Sequence, residues 1–221
     1  MIHENERTLP GKIIINGLIS FQRNRENRLP QSVLLLRGKE GKMQTSKYLI
    51  VVDMQNDFID GALGTKEAQA IVPRAAEKIK NFDGTVVFTM DTHTPDYLNT
   101  SEGRHLPVKH CIKGTNGWEL CAALLPLQEA RHAAVFEKGT FGSVKLAESL
   151  LSRYQEGALS SVELLGLCTD ICVVSNALLL KAFMPELPVF VDASCCAGVT
   201  PEKHQAALET MRSCQIEVLN A

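Results

Sequence analysis

The sequence lacks an excess of charge of either sign. Its 23 Lys and Arg stand against 25 Asp and Glu, for a formal net charge of -2. That excludes bulk electrostatic attraction to nucleic acid or anionic lipid. It also lacks any apolar run approaching the roughly 20 residues that span a bilayer, which argues against a membrane partner. The N-terminus has no continuous apolar stretch followed by a cleavage site, so no secretory signal is expected. A disulfide framework is missing too. The seven cysteines, Cys111, Cys121, Cys168, Cys172, Cys195, Cys196 and Cys214, are odd in number and show no repeated spacing. No C-x-x-C pair suggests a structural zinc site. Cysteines in apolar surroundings behave as small hydrophobes and point to a reducing compartment, here the cytoplasm.

What is present suits one domain with a sizeable core. Hydrophobic residues make up 45% of 221 residues. From Lys47 onward, strand-like and helix-like runs alternate. Strands are expected at YLIVVDM from Tyr48, TVVFTMD ending at Asp91, HAAVFEK ending at Lys138, VELLGL ending at Leu167, PVFVDA, and QIEVL. Helices are expected at about 68–82, 143–154 and 170–183, near Trp118, and after the Thr200-Pro201 pair, which reads as N-cap and N1. A loop carries Pro95, Asn99, Gly103 and Pro107. Near-continuous apolar strands between amphipathic helices imply a mainly parallel sheet covered on both faces, a three-layer αβα fold. Residues 1–42 differ, with eight Lys and Arg against four Glu and only weak patterning. They read as an N-terminal extension, either a disordered tail or the product of a start assigned upstream of Met43. The domain proper is 43–221.

In parallel sheets, ligands bind outside the carboxyl ends of the strands. Asp53, Asp91, Lys138 and the Cys168–Cys172 segment all fall at such ends. A carboxylate closing an apolar strand, as Asp53 does, must be paired, hydrogen-bonded or functional. Lys138, desolvated in the same way, can stabilise developing negative charge. Cys172 stands at the expected first turn of a helix. There, free backbone N–H groups and the helix dipole favour thiolate over thiol. Asp91, His93 and His110 add a carboxylate and two imidazoles, a donor set that suits a divalent zinc, iron or manganese ion.

Three segments, V-V-D-M-Q-N-D-F around Asp53, F-E-K-G-T-F around Lys138 and G-L-C-T-D-I-C-V-V around Cys172, together resemble the nicotinamidase and isochorismatase-like cysteine hydrolases. The resemblance covers Lys47 to the C-terminus. It implies a catalytic triad of Asp53, Lys138 and Cys172, a cis peptide just before Cys168, and an oxyanion hole made by the backbone N–H groups of Cys168 and Cys172. The D-x-H…H arrangement resembles the metal site of nicotinamidases. It implies Asp91, His93 and His110 as ligands, with Glu102 as the fourth. His105 competes with His110, and the H-C-x-x-G-T context favours His110.

Two positions depart from the common nicotinamidase pattern. Asp91-Thr92-His93-Thr94 stands where D-W-H-P is usual, and Leu106-Pro107-Val108 where a tryptophan often packs on the substrate ring. Phe58 remains as an aromatic wall for substrate. The implied activity is hydrolysis of nicotinamide to nicotinate and ammonia through a thioester on Cys172, a step of NAD salvage. The partner is then a small-molecule amide, and the family likeness allows a homo-oligomer. The alternatives are an amidase for a carbamoyl or ureido substrate, and an inactive binding protein. Isochorismatase chemistry is disfavoured by a cysteine at position 172.

Overall fold

The computed structural model describes residues 45–221, so the expectations for the 1–42 extension lie outside the described residues. Six strands form one sheet: β1 (Ser46–Val52), β2 (Thr85–Asp91), β3 (Ala134–Lys138), β4 (Leu159–Leu167), β5 (Val189–Ala197) and β6 (Glu217–Leu219). Their order is β3-β2-β1-β4-β5-β6, and every pairing is parallel. The central strands β1 and β4 are almost entirely apolar and buried, as a sheet covered on both faces requires. The expected three-layer αβα architecture is what forms.

The helices are α1 (Asn56–Ile59), α2 (Lys66–Asn81), α3 (Ser101–His105), α4 (Leu125–Ala130), α5 (Val144–Gln155), α6 (Val174–Phe183) and α7 (Pro201–Ser213). Side chains close their first turns. Thr65 accepts from Ala68 N–H, Ser143 from Leu146 N–H and Thr200 from Lys203 N–H, with Pro201 at N1 as expected. Helix α2 buries Ala68, Ile71, Ala75 and Ile79, a 3.6-residue stripe laid chiefly on β5. Helices α5, α6 and α7 pack side by side. Among the described residues, no helix is long and apolar enough to cross a membrane.

Three expectations change. The stretch from Pro95 to Pro107 is not all loop, because Thr100 caps the short helix α3 through Gly103 N–H. Near Trp118 there is a 3-10 turn, Asn116–Trp118, and the helix α4 starts later with Pro126 in its first turn. The helix expected from Asp170 begins instead as a π-turn, Thr169–Val173, and becomes α-helical at Val174. A widened turn of this kind is often found at functional sites.

Candidate active site

The strand order reverses direction between β1 and β4. Open parallel sheets bind ligands at such a switch point, beyond the strands' carboxyl ends. At this place the two strands approach closely. A Cβ added to Gly166 would lie 2.1 Å from the Val52 carbonyl oxygen, so only glycine fits. Asp53 follows β1 with φ of 49°, a left-handed conformation that aspartate tolerates better than most residues. Beyond β4, the Leu167–Cys168 peptide is cis, as the family resemblance implied.

Asp53, Lys138 and Cys172 meet here. All three are buried, Asp53 completely. Lys138 Nζ lies 2.7 Å from Asp53 Oδ2, 3.4 Å from Cys172 Sγ and 3.5 Å from Asp91 Oδ1. Asp53 Oδ1 accepts a 2.6 Å hydrogen bond from the Thr89 hydroxyl. Its Oδ2 is close to Lys138 but has no donor aligned on it. That oxygen keeps a lone pair free to take a proton.

Burial sets the resting protonation states. It pushes the Asp53 carboxyl up, partly offset by the Lys138 charge and then reinforced by Asp91. Burial would lower Lys138, but the charges of Asp53, Cys172 and Asp91 outweigh it and raise the ammonium's pKa. Cys172 is held well above the ordinary thiol range by burial and then by the Asp53 charge, with Lys138 opposing. Burial thus opposes the thiolate that the helix-terminus argument favours. The backbone environment is local, whereas desolvation by the fold is larger and acts the other way. Cys168 is partly exposed on the same cavity, and burial pushes its thiol up to about 12.

The expected metal ligands also converge. One ligand atom from each of Asp91, His93, Glu102 and His110 lies within 4.8 Å of every other. Asp91 Oδ2 is 2.8 Å from His93 Nε2 and 3.6 Å from His110 Nε2, and Glu102 Oε1 is 3.7 Å from both imidazole nitrogens. Despite its nearness to Asp91, His93 Nε2 is buried with no hydrogen bond. His110 Nδ1 bonds the Val108 carbonyl at 2.8 Å, so the donor hydrogen sits on Nδ1 and Nε2 faces the cluster as an acceptor. Burial and then the Asp91 charge raise the Glu102 carboxyl. An orphaned imidazole nitrogen, a fixed tautomer and two facing carboxylates fit a divalent cation of the zinc, iron or manganese type. His105 is exposed at the end of α3 and stays outside the cluster, whereas His110 is part of it.

Asp91 joins the two halves, with one oxygen towards Lys138 and the other towards the imidazoles. Both halves open on a cavity of about 360 Å³ lined by Phe58, Asp91, Glu102, His110, Cys168 and Cys172. Phe58 stands at its wall, 5.5 Å from the His110 ring. That size suits a small molecule.

Several contributors were not anticipated. Thr89 holds Asp53 from the neighbouring strand. Asn176, buried, donates to the Cys172 and Phe141 carbonyls and accepts from Ser143 N–H, tying the Cys172 turn to the loop after β3. Tyr97 packs its ring 4.7 Å from His93 and 5.0 Å from His110. Phe141 adds a second, half-exposed aromatic to the cavity. The Thr92 hydroxyl accepts from Trp118 Nε1, so the chain's single tryptophan packs beside the position where the usual pattern has its own.

Comparison with known proteins places these residues in context. The family model for the isochorismatase domain matches residues 47–221. The isochorismatase-family protein PncA of Bacillus subtilis is 34% identical over 172 residues, covering 73% of this chain and 92% of that protein. The nicotinamidase/pyrazinamidase of Mycobacterium tuberculosis is 30% identical over 193 residues, covering 77% and 97%. Among solved structures, the pyrazinamidase of Pyrococcus horikoshii in complex with zinc superposes with a TM-score of 0.64 at 28% identity, covering 80% of this chain and 99% of the other.

Proposed function

The chain belongs to the isochorismatase family, and from that premise we propose that it is a cysteine amidase converting nicotinamide and water to nicotinate and ammonia. The observation that carries this reading is the contact of Lys138 with Cys172, Asp53 and Asp91 beside the four-residue cluster, all on one small cavity. Two of its relatives are named nicotinamidase/pyrazinamidase and pyrazinamidase, the latter in complex with zinc.

In this reading the substrate amide enters with its carbonyl against the Cys168–Cys172 turn. Asp53 Oδ2 takes the Cys172 proton as sulfur attacks the carbonyl carbon. A carboxyl raised by burial is a stronger base than an ordinary one, which favours taking the thiol proton. Lys138 stays charged and offsets the negative charge that builds on sulfur. Backbone N–H groups of Cys168 and Cys172 receive the oxyanion. Asp53 then gives the proton to the departing ammonia, leaving a thioester on Cys172. Water, deprotonated by Asp53, hydrolyses the thioester and restores the thiol. Phe58 offers a face to the substrate ring. Asp91, His93, Glu102 and His110 would hold the divalent ion. When bound, that ion supplies a coordination position for the polar end of the substrate.

An ammonia-release assay over nicotinamide, benzamide and a carbamoyl amide tests this proposal. Nicotinamide should turn over, and benzamide, which lacks the ring nitrogen, should be much poorer, because a site built for a polar partner rejects the analogue without it. Equal rates for the two would remove the metal from substrate recognition. Turnover of the carbamoyl amide alone would move the substrate to that class.

A further inference from the structure

The segment Asp53-Met54-Gln55-Asn56-Asp57 presents three polar side chains at alternate positions, and only Asp53 enters the chemistry described above. Gln55 is fully buried. Its Oε1 accepts from Asp91 N–H at 2.7 Å, while its Nε2 donates to the Asp91 carbonyl at 2.8 Å and to the Trp118 carbonyl at 2.7 Å. Both donor hydrogens and the acceptor are used, and one side chain holds both backbone polar groups of Asp91. A buried amide so committed allows Asp91 little freedom to shift along its strand.

Asp57 holds the other arm. Its Oδ2 accepts from Cys111 N–H at 2.7 Å, and its Oδ1 from Ala62 N–H at 3.2 Å. Cys111 follows His110 directly and has φ of 45°, so the corner that aims His110 is left-handed at a non-glycine residue and needs support. The Cys111 carbonyl in turn accepts from His93 N–H at 2.9 Å, and the His93 carbonyl from Lys113 N–H at 2.9 Å. Through Cys111, the Asp57 carboxylate therefore fixes both imidazole-bearing segments. Gly117 packs flush against it, since a Cβ there would fall 2.1 Å from Asp57 Oδ2.

We infer that Gln55 and Asp57 are positioning residues for the candidate metal cluster, Gln55 holding Asp91, and Asp57 holding His110 and His93 through the Cys111 corner. The catalytic carboxylate and both arms of the cluster are thereby set from one five-residue segment after β1. The inference rests on the metal reading above and adds to it the residues that tune affinity. Neither side chain touches Cys172, Asp53 or Lys138 by hydrogen bond. Asp57 reaches the cluster only through the Cys111 corner, so its effect on metal affinity is separable from the Cys172 environment, whereas Gln55 acts on Asp91, which also faces Lys138.

The test strips the full-length protein of metal with a chelator and titrates zinc ion against a chromophoric competitor. Wild type, Gln55→Met and Asp57→Ala are compared. In parallel, the rate at which iodoacetamide alkylates Cys172 in the metal-free proteins is read by peptide mass spectrometry. Both variants should bind zinc about 10- to 100-fold more weakly, and in Asp57→Ala the Cys172 alkylation rate should be unchanged. Should Gln55→Met fail to fold, the half-buried Asp57→Ala carries the same comparison. Unchanged zinc affinity in the folded variants would overturn the inference. So would a loss of affinity in Asp57→Ala matched by altered Cys172 alkylation, which marks a general structural role. Wild type that binds no zinc would instead remove the metal reading itself, and this inference with it.

Discussion

The ammonium of Lys138 lies 3.4 Å from the sulfur of Cys172. The same nitrogen is 2.7 Å from Asp53 Oδ2, so carboxylate, ammonium and sulfur form a buried contact chain at the edge of the cavity. In that setting one cation faces Asp53, Asp91 and the Cys172 sulfur. Burial raises the pKa of Cys172 and of Asp53, and the Lys138 charge opposes both shifts.

Lys138→Met keeps most of the side-chain volume and removes the charge. Asp53 is then buried without its partner, and the variant should lose about 3–5 kcal/mol of stability at neutral pH. The sign follows from burial, which sets the Asp53 pKa above its unfolded value. The native state therefore binds the extra proton, and stability is greatest below the unfolded pKa, about 3.9. It falls as pH rises through the folded pKa. Urea denaturation at several pH values checks this, and a Lys138→Met protein as stable as wild type at neutral pH would contradict it.

Thr89→Val deletes the 2.6 Å hydrogen bond to Asp53 Oδ1 without changing shape. Hydrogen bonding to a carboxylate favours its charged form, so its loss should raise the Asp53 pKa further. The acid limb of kcat/KM should move to higher pH by about one unit. A pH–rate profile on the proposed substrate reads the shift directly.

A chain beginning at Met43 should fold and turn over like the full-length chain. The first strand of the sheet starts at Ser46, and the family match begins at residue 47. Thermal unfolding and amide turnover, measured side by side, test the proposal that 43–221 is the complete catalytic domain. Loss of either on truncation would assign residues 1–42 a part in it.

The fold was legible because its strands are continuous apolar runs ending in chemistry-bearing residues. Asp53 and Asp91 stand out from sequence since buried strands stop there, and Lys138 and Cys172 because they end or follow a strand, although the β3 strand before Lys138 is largely exposed. Glu102 was reachable only through the family likeness. Its position depends on α3, a five-residue helix too short to leave a periodic pattern. Thr89 and Gln55 were invisible as supports because each acts on a residue 36 positions away. The hydroxyl of a strand threonine and the amide of a loop glutamine carry no local sign of such a partner. The desolvation of Cys172 leaves no mark in the sequence for a related reason. A helix terminus is a local feature, whereas the desolvation that outweighs it comes from packing of the whole fold.

The central claim is that Cys172 is the nucleophile of an amidase, and its most direct test is ammonia release from nicotinamide by the wild type, Cys172→Ala and Cys168→Ala. Cys172→Ala removes the sulfur at little cost in volume, so the protein should stay folded while turnover falls by about three orders of magnitude or more. Cys168 contributes only its backbone N–H in this account, so Cys168→Ala should retain activity. An active Cys172→Ala protein, or a wild type that releases no ammonia from nicotinamide while Cys168→Ala is equally inert, would contradict the account.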